Sequence, residues 1–124
     1  MLSTANYFSK AVNLSATAGG ASGDVIYTCP SKFTSLITYL HISNGAASTK
    51  KYSIQYYEAL TTTYHFLVDE HSLAANTVFE VIQGGGYLAL KPGDKIVGFE
   101  DSPSNSDVSV AGRLAIVQLN NHFY

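Results

Sequence analysis

The chain has 124 residues, 46% of them hydrophobic and only 13% charged, with a formal net charge of −2. A length in this range fits one domain, long enough to bury roughly two-thirds of the surface its unfolded form exposes. A single arginine, Arg113, and six scattered lysines leave no basic patch for nucleic acid.

The uncharged run Ala11 to Gly23 is polar and Gly-rich and does not span a bilayer. Neither nucleic acid nor membrane is therefore expected as a partner. Charge this sparse, against about 25% in an ordinary domain, leaves Ser, Thr, Asn and Tyr to cover the surface, and such neutral surfaces commonly lie against another molecule. The start of the chain, Met1-Leu2-Ser3-Thr4-Ala5-Asn6, lacks the basic and apolar parts of a secretory signal. A protein kept in a cytoplasm, or released by lysis, is the expectation. The lone Cys29 agrees, since it makes neither an intrachain disulfide nor a Cys-rich metal site.

Asn6 to Leu14 alternates loosely around Phe8, Val12 and Leu14. It reads as an edge strand or, with residues 1–14 taken together, as an N-terminal arm that pairs with a neighbouring subunit. Ser15 to Gly23 is a Gly-rich loop without the Lys-Ser/Thr step of a phosphate loop. Asp24 to Thr28 is a short strand stopped by Pro30.

Phe33 to Asn44 is the clearest strand. Strict alternation puts Leu36, Thr38, Leu40 and Ile42 on one face and Ser35, Ile37, Tyr39, His41 and Ser43 on the other. Asn44-Gly45 opens a polar loop to Lys50, and Lys51 to Ala59 is the next strand. Tyr52, Ile54 and Tyr56 share one of its faces; Ser53, Gln55 and Tyr57 share the other. A strand over Tyr64 to Asp69 follows, then a single helical turn over Glu70 to Asn76. Thr77 to Gln83 is apolar on both faces, which predicts a strand covered on both sides.

Leu88-Ala89-Leu90-Lys91-Pro92-Gly93-Asp94-Lys95-Ile96 reads as a hairpin. Pro92 presets φ at the second turn position and Gly93 supplies the positive φ of a type II turn at the third. The Asp94 carboxylate is placed to accept a local backbone N–H. Val108 to Leu119 is the last strand, with Val108, Val110, Leu114 and Ile116 on one face and Gly112 among them, which predicts a bulge or close contact there. Residues 120–124 form a short tail carrying Phe123 and Tyr124. About eight strands without a long helix give an all-β single domain over residues 1–124. The expected architecture is a β-sandwich, with the jelly roll as one form of it.

A catalytic site, a cofactor and a metal are all expected to be absent. His65 and His71 lie six apart with Asp69 and Glu70 between them, but without the i, i+4 helix spacing or His-x-His strand spacing of a metal site. Cys29 sits at a strand end beside Pro30, not in a basic setting. No Gly-x-Ser-x-Gly elbow occurs, and the carboxylates show no glycosidase pairing. The nine tyrosines are the one excess. Core packing, a subunit interface and a sugar-binding platform are the competing readings. As an interface the candidates are Tyr7, Phe8, Tyr52, Tyr56, Tyr57, Phe123 and Tyr124.

The order of these signals resembles a group of small all-β virion proteins of tailed bacteriophages. The resemblance runs over residues 24–118. It rests on the strand Thr34 to Asn44 ending Leu40-His41-Ile42-Ser43-Asn44, on Leu73-Ala74-Ala75-Asn76, and on Leu88 to Ile96 with its Gly93-Asp94 turn. It implies a non-enzymatic structural protein acting in repeated copies, a homo-oligomer in contact with the major capsid protein or other virion proteins. A capsid decoration or cement protein bridging capsid subunits is the first expectation. A tail, neck or baseplate component is the alternative, and a carbohydrate-binding module stands behind both. The implied location is the virion, assembled in the host cytoplasm. No functional residue carries over from the resemblance, because the shared positions are structural.

Overall fold

The computed structural model describes residues 5–82, 86–100 and 110–120. Nine strands are present: β1 Ala5–Asn13, β2 Asp24–Thr28, β3 Phe33–Asn44, β4 Lys50–Glu58, β5 Thr63–Leu73, β6 Thr77–Ile82, β7 Leu88–Leu90, β8 Lys95–Glu100 and β9 Val110–Asn120. They form two antiparallel sheets. Sheet I has the order β1-β9-β3-β6, with β7 also on β3; sheet II has the order β2-β8-β4-β5. β6 pairs with Leu40–Asn44 and β7 with Ser35–Ile37, so the two share one flank of β3 end to end. This sharing gives nine strands among the described residues where about eight were expected. Among the described residues no helix is long and apolar enough to cross a membrane.

The core fills the space between the sheets. Ile37, Leu40, Ile42, Val110, Leu114 and Ile116 come from sheet I, and Ile26, Tyr52, Ile54 and Ile96 from sheet II. Tyr27 links the layers: its hydroxyl meets Ser35 Oγ at 2.6 Å and accepts Gln118 Nε2 at 2.6 Å. In β9 the expected inward set holds for Val110, Leu114 and Ile116. Gly112 makes the close contact foreseen for it, since a Cβ there would stand 3.1 Å from Ile26 Cδ1. Val108 lies outside the described residues.

Four features depart from the alternation read along the sequence. In β3 the register on β9 shifts between Ile37 and Tyr39. The bulge at Thr38 reverses the facing: Ser35 and Ile37 point inward before it, Leu40 and Ile42 after it. Leu36 therefore faces outward, not with Leu40. The helical turn expected at Glu70 is instead strand, because β5 runs on to Leu73. Glu70 takes a positive φ of 49° there, and its N–H bonds Ser53 Oγ at 2.9 Å. β6 is an edge strand, largely exposed rather than covered on both sides.

The fourth departure concerns Lys91-Pro92-Gly93-Asp94. The turn has the expected form, with Gly93 at φ 88° and Asp94 N–H donating to the Lys91 carbonyl at 3.0 Å. It does not close a hairpin, however: β7 belongs to sheet I and β8 to sheet II. The turn is the corner at which the chain crosses between layers. Residues 5–13, taken with residues 1–14 as a possible arm, pair with β9 of the same chain as an edge strand.

Candidate functional site

The two outer faces of the sandwich differ. Sheet II is covered over β8 and part of β4 by the chain's own Gly-rich loop, while Phe66 on β5 stays 52% exposed. Asp24 anchors that loop, accepting the N–H groups of Ser15 and Ala16 at 2.5 and 2.9 Å. Gly20 N–H donates to Gln55 Oε1 at 2.8 Å, and Glu100 N–H to the Ala16 carbonyl at 2.9 Å. The fit requires glycine: a Cβ at Gly19 would stand 2.6 Å from both Gln55 Oε1 and the Phe99 ring. Under this cover Ser53, Gln55 and Val97 are buried although they face away from the core.

Sheet I has no such cover among the described residues. The strand register arranges its outward residues in four rows. Tyr7, Val117, Leu36 and Ala89 make the first, and Ser9, Ala115 and Tyr39 the second. Ala11, Arg113, His41 and Glu80 make the third, and Asn13, Ala111, Ser43 and Val78 the fourth. Only Arg113 and Glu80 among these carry a formal charge. Tyr7 is 77% exposed and Val78 55%. A broad, nearly uncharged sheet face of this kind is the surface type that binds protein.

His41 stands in the middle of the charged row. Its ring meets the Tyr39 hydroxyl at 2.5 Å. Partial burial pushes its pKa below the usual histidine value; the neighbouring Arg113 pushes the same way and Glu80 opposes.

The tyrosine candidates do not gather into one platform. Tyr7 lies on the outer face of sheet I, while Phe8, next in the strand, turns inward with its ring 6.1 Å from that of Tyr27. Tyr52 is 1% exposed and belongs to the core, so it is removed from any contact surface. Its hydroxyl has no hydrogen-bond partner among the described residues, and burial pushes its pKa up to about 12. Tyr56 is half-buried, its hydroxyl donating to Asp94 Oδ2 at 2.7 Å. Tyr57 faces outward on sheet II, its ring 4.6 Å from that of Tyr64 and under the Lys95 ammonium at 5.3 Å. Phe123 and Tyr124 lie outside the described residues.

The remaining chemistry-bearing groups are dispersed. His65 and His71 pair with Tyr56 and Tyr52, four positions apart along β4, or about 13 Å. Among the described residues no three His, Cys, Asp or Glu side chains gather as a metal set. Cys29 is buried, donates its thiol toward the Phe33 carbonyl at 3.3 Å, and has its pKa raised by that burial. A recess of about 180 Å³ opens beside the loop, lined by Thr17, Lys51, Tyr52, Ser53, Glu70, Phe99 and Glu100. Sequence reasoning passed over Leu36, His41, Glu80, Arg113 and Val117 as surface residues. For the β9 members the signal was present, as the complement of the inward set: Ala111, Arg113, Ala115 and Val117 alternate with it.

No known sequence family matches the chain, and no curated protein matches it by sequence. Among solved structures, it is similar to a chain from Bacillus endospore appendages, described as disulfide-linked pili. The TM-score is 0.49 at 10% identity, over 95% of this chain and 87% of that one. It is also similar to a chain of the T13 IBDV viral particle, with a TM-score of 0.47 at 9% identity over 94% of this chain. This chain spans 31% of that viral chain's length.

Proposed function

We propose that this chain is a non-enzymatic structural subunit of a virion that works in repeated copies, with the outer face of sheet I as its assembly contact. The observation that carries the reading is the contrast between the faces: residues 15–23 cover β8 and part of β4 on sheet II, whereas four rows of nearly uncharged side chains on sheet I have no such cover among the described residues. Leaving such a face in water costs hydrophobic free energy that a partner removes.

The strand order supports the same reading. β1-β9-β3-β6 facing β2-β8-β4-β5, with β6 and β7 counted as one interrupted strand, is the order of an eight-strand jelly roll, an architecture that serves viral capsid and lectin domains. Fold alone does not fix function; the face and the resemblance to phage virion proteins direct the choice. The finer reading is a bacteriophage capsid decoration or cement protein that bridges and stabilises neighbouring capsid subunits. Many modest symmetric contacts add up in that role by multivalency.

The test is quantitative mass spectrometry on purified particles of the phage that encodes the chain, paired with a deletion. Many copies per particle are expected, and a particle that loses heat resistance without them. Absence of the chain from the particle would overturn the proposal.

A further inference from the structure

We infer that the partner of the outer face of sheet I is a second copy of this chain, packed face to face about a two-fold axis that runs along β3. This inference rests on the reading of that face as an assembly contact and names its occupant.

The face is complementary to itself. Arg113 and Glu80 flank His41 in one row, one strand to either side of β3. A two-fold axis along β3, lying above the sheet, exchanges the two flanks. Arg113 of one copy then stands over Glu80 of the second copy, and Glu80 over Arg113. Two ion pairs form from the only two formally charged residues of the four rows. Among the described residues neither Arg113 nor Glu80 takes part in an ion pair within its own chain. Sheets stack about 10 Å apart with strands within about 30° of each other, a gap that Arg and Glu side chains span together.

The apolar rows obey the same axis. Val117 and Ala89 flank Leu36, and Ala111 and Val78 flank Ser43. The exchange sets Val117 against Ala89 of the second copy and Val78 against Ala111. A larger side chain meets a smaller one each time, which lets the layers interdigitate. A two-fold axis across the strands at the level of this row would instead set Arg113 on Arg113 and Glu80 on Glu80. The overlap of β9, β3 and β6/β7 measures roughly 15 by 25 Å, about 750 Å² over both copies, which is below the size of a standard stable interface and is that of a weak, transient dimer. Dissociation constants of ~1–100 μM are therefore expected for the isolated chain.

The experiment is sedimentation equilibrium on the purified chain, with four samples: wild type, Arg113→Glu, Glu80→Arg, and an equimolar mixture of the two variants. Both positions are exposed, and the far-ultraviolet spectrum of each variant checks the fold. Wild type is expected to dimerise. Each single reversal places two like-charged pairs in the dimer and is expected to weaken association ~100-fold or more. The mixture restores attraction at both sites, because each chain of a mixed dimer then carries one sign of charge at both positions and meets the opposite sign on its partner. It is expected to recover the dimer. A monomeric wild type at ~200 μM, above the range expected for an interface this small, would overturn the inference. So would a dimer indifferent to both reversals, or a mixture that fails to recover. No particle enters this experiment: a monomer that still occupies the virion refutes only the dimer, and a charge-dependent dimer absent from the virion refutes only the virion role.

Discussion

The carboxylate of Asp94 accepts the hydroxyl of Tyr56 on Oδ2 at 2.7 Å, and through this contact the corner between the two sheets is fixed to the middle of sheet II. The same side chain accepts the Lys91 N–H at 2.9 Å and the Ala59 N–H at 3.0 Å. Backbone bonds complete the corner: Cys29 N–H reaches the Asp94 carbonyl at 2.8 Å, and Gly93 N–H the Cys29 carbonyl at 2.9 Å. Asp94 is buried, and the three donors that it satisfies are part-buried.

Asp94→Ala is therefore expected to cost about 2–3 kcal/mol, because it removes the acceptor of three part-buried donors at once, whereas Tyr56→Phe removes one bond and costs about 1 kcal/mol. Urea denaturation of both variants reads the difference. Equal effects would show that the corner is held by its backbone bonds alone.

Gly19→Val tests the cover of sheet II. A Cβ at that position meets Gln55 and the Phe99 ring inside contact distance, and the loop must lift. A loss of about 1–3 kcal/mol is expected for overpacking of this kind. Faster proteolytic cleavage within residues 15–23 is expected with it, while the core hydrogen-exchange pattern stays unchanged. Uniform loss of protection would place the glycine in the core rather than the cover.

Much of this fold was legible in the sequence, and the failures have local causes. The inward set of β9 followed from plain alternation because its pairing with β1 runs without a shift and the extra residue of its pairing with β3 lies on β3. The facing of Leu36 and Ile37 was misread because a bulge at Thr38 changes the phase, and nothing in Ile37-Thr38-Tyr39 announces an extra residue. Lys91 to Asp94 gave its turn type through Pro92 and Gly93. It could not reveal that the flanking strands join different sheets, since local turn chemistry is the same for a hairpin and a corner. The docking face was hidden for a related reason: its rows join residues up to about 110 positions apart, such as Tyr7 and Val117, and only the register brings them together.

Alkali tests the burial of Tyr52. Its pKa rises from 10.0 to about 12 in the folded chain, by desolvation. The folded protein therefore holds a proton that the unfolded chain loses, so this contribution to stability is intact below pH 10 and is lost as pH climbs from 10 to about 12. Tyr56 is shifted in the same direction, first by burial and then by Asp94. Tyr52→Phe is expected to flatten, without abolishing, the fall in urea midpoint over that range. An unchanged slope would contradict the burial.

The charged row can be read by titration. The His41 pKa is lowered by burial first, then by Arg113, with Glu80 opposing. Arg113→Gln is expected to raise the His41 pKa and Glu80→Gln to lower it, in an NMR titration at low salt. No movement in either variant would mean that the three side chains do not share a row.

The central claim is that the outer face of sheet I is the surface engaged on assembly, and hydroxyl-radical footprinting of the assembled against the dissociated chain tests it most directly. Leu36 and Tyr39 are expected to lose reactivity severalfold on assembly, with Tyr57 and Tyr64 of sheet II unchanged. Protection of Tyr57 and Tyr64 with Leu36 and Tyr39 still reactive would contradict the account.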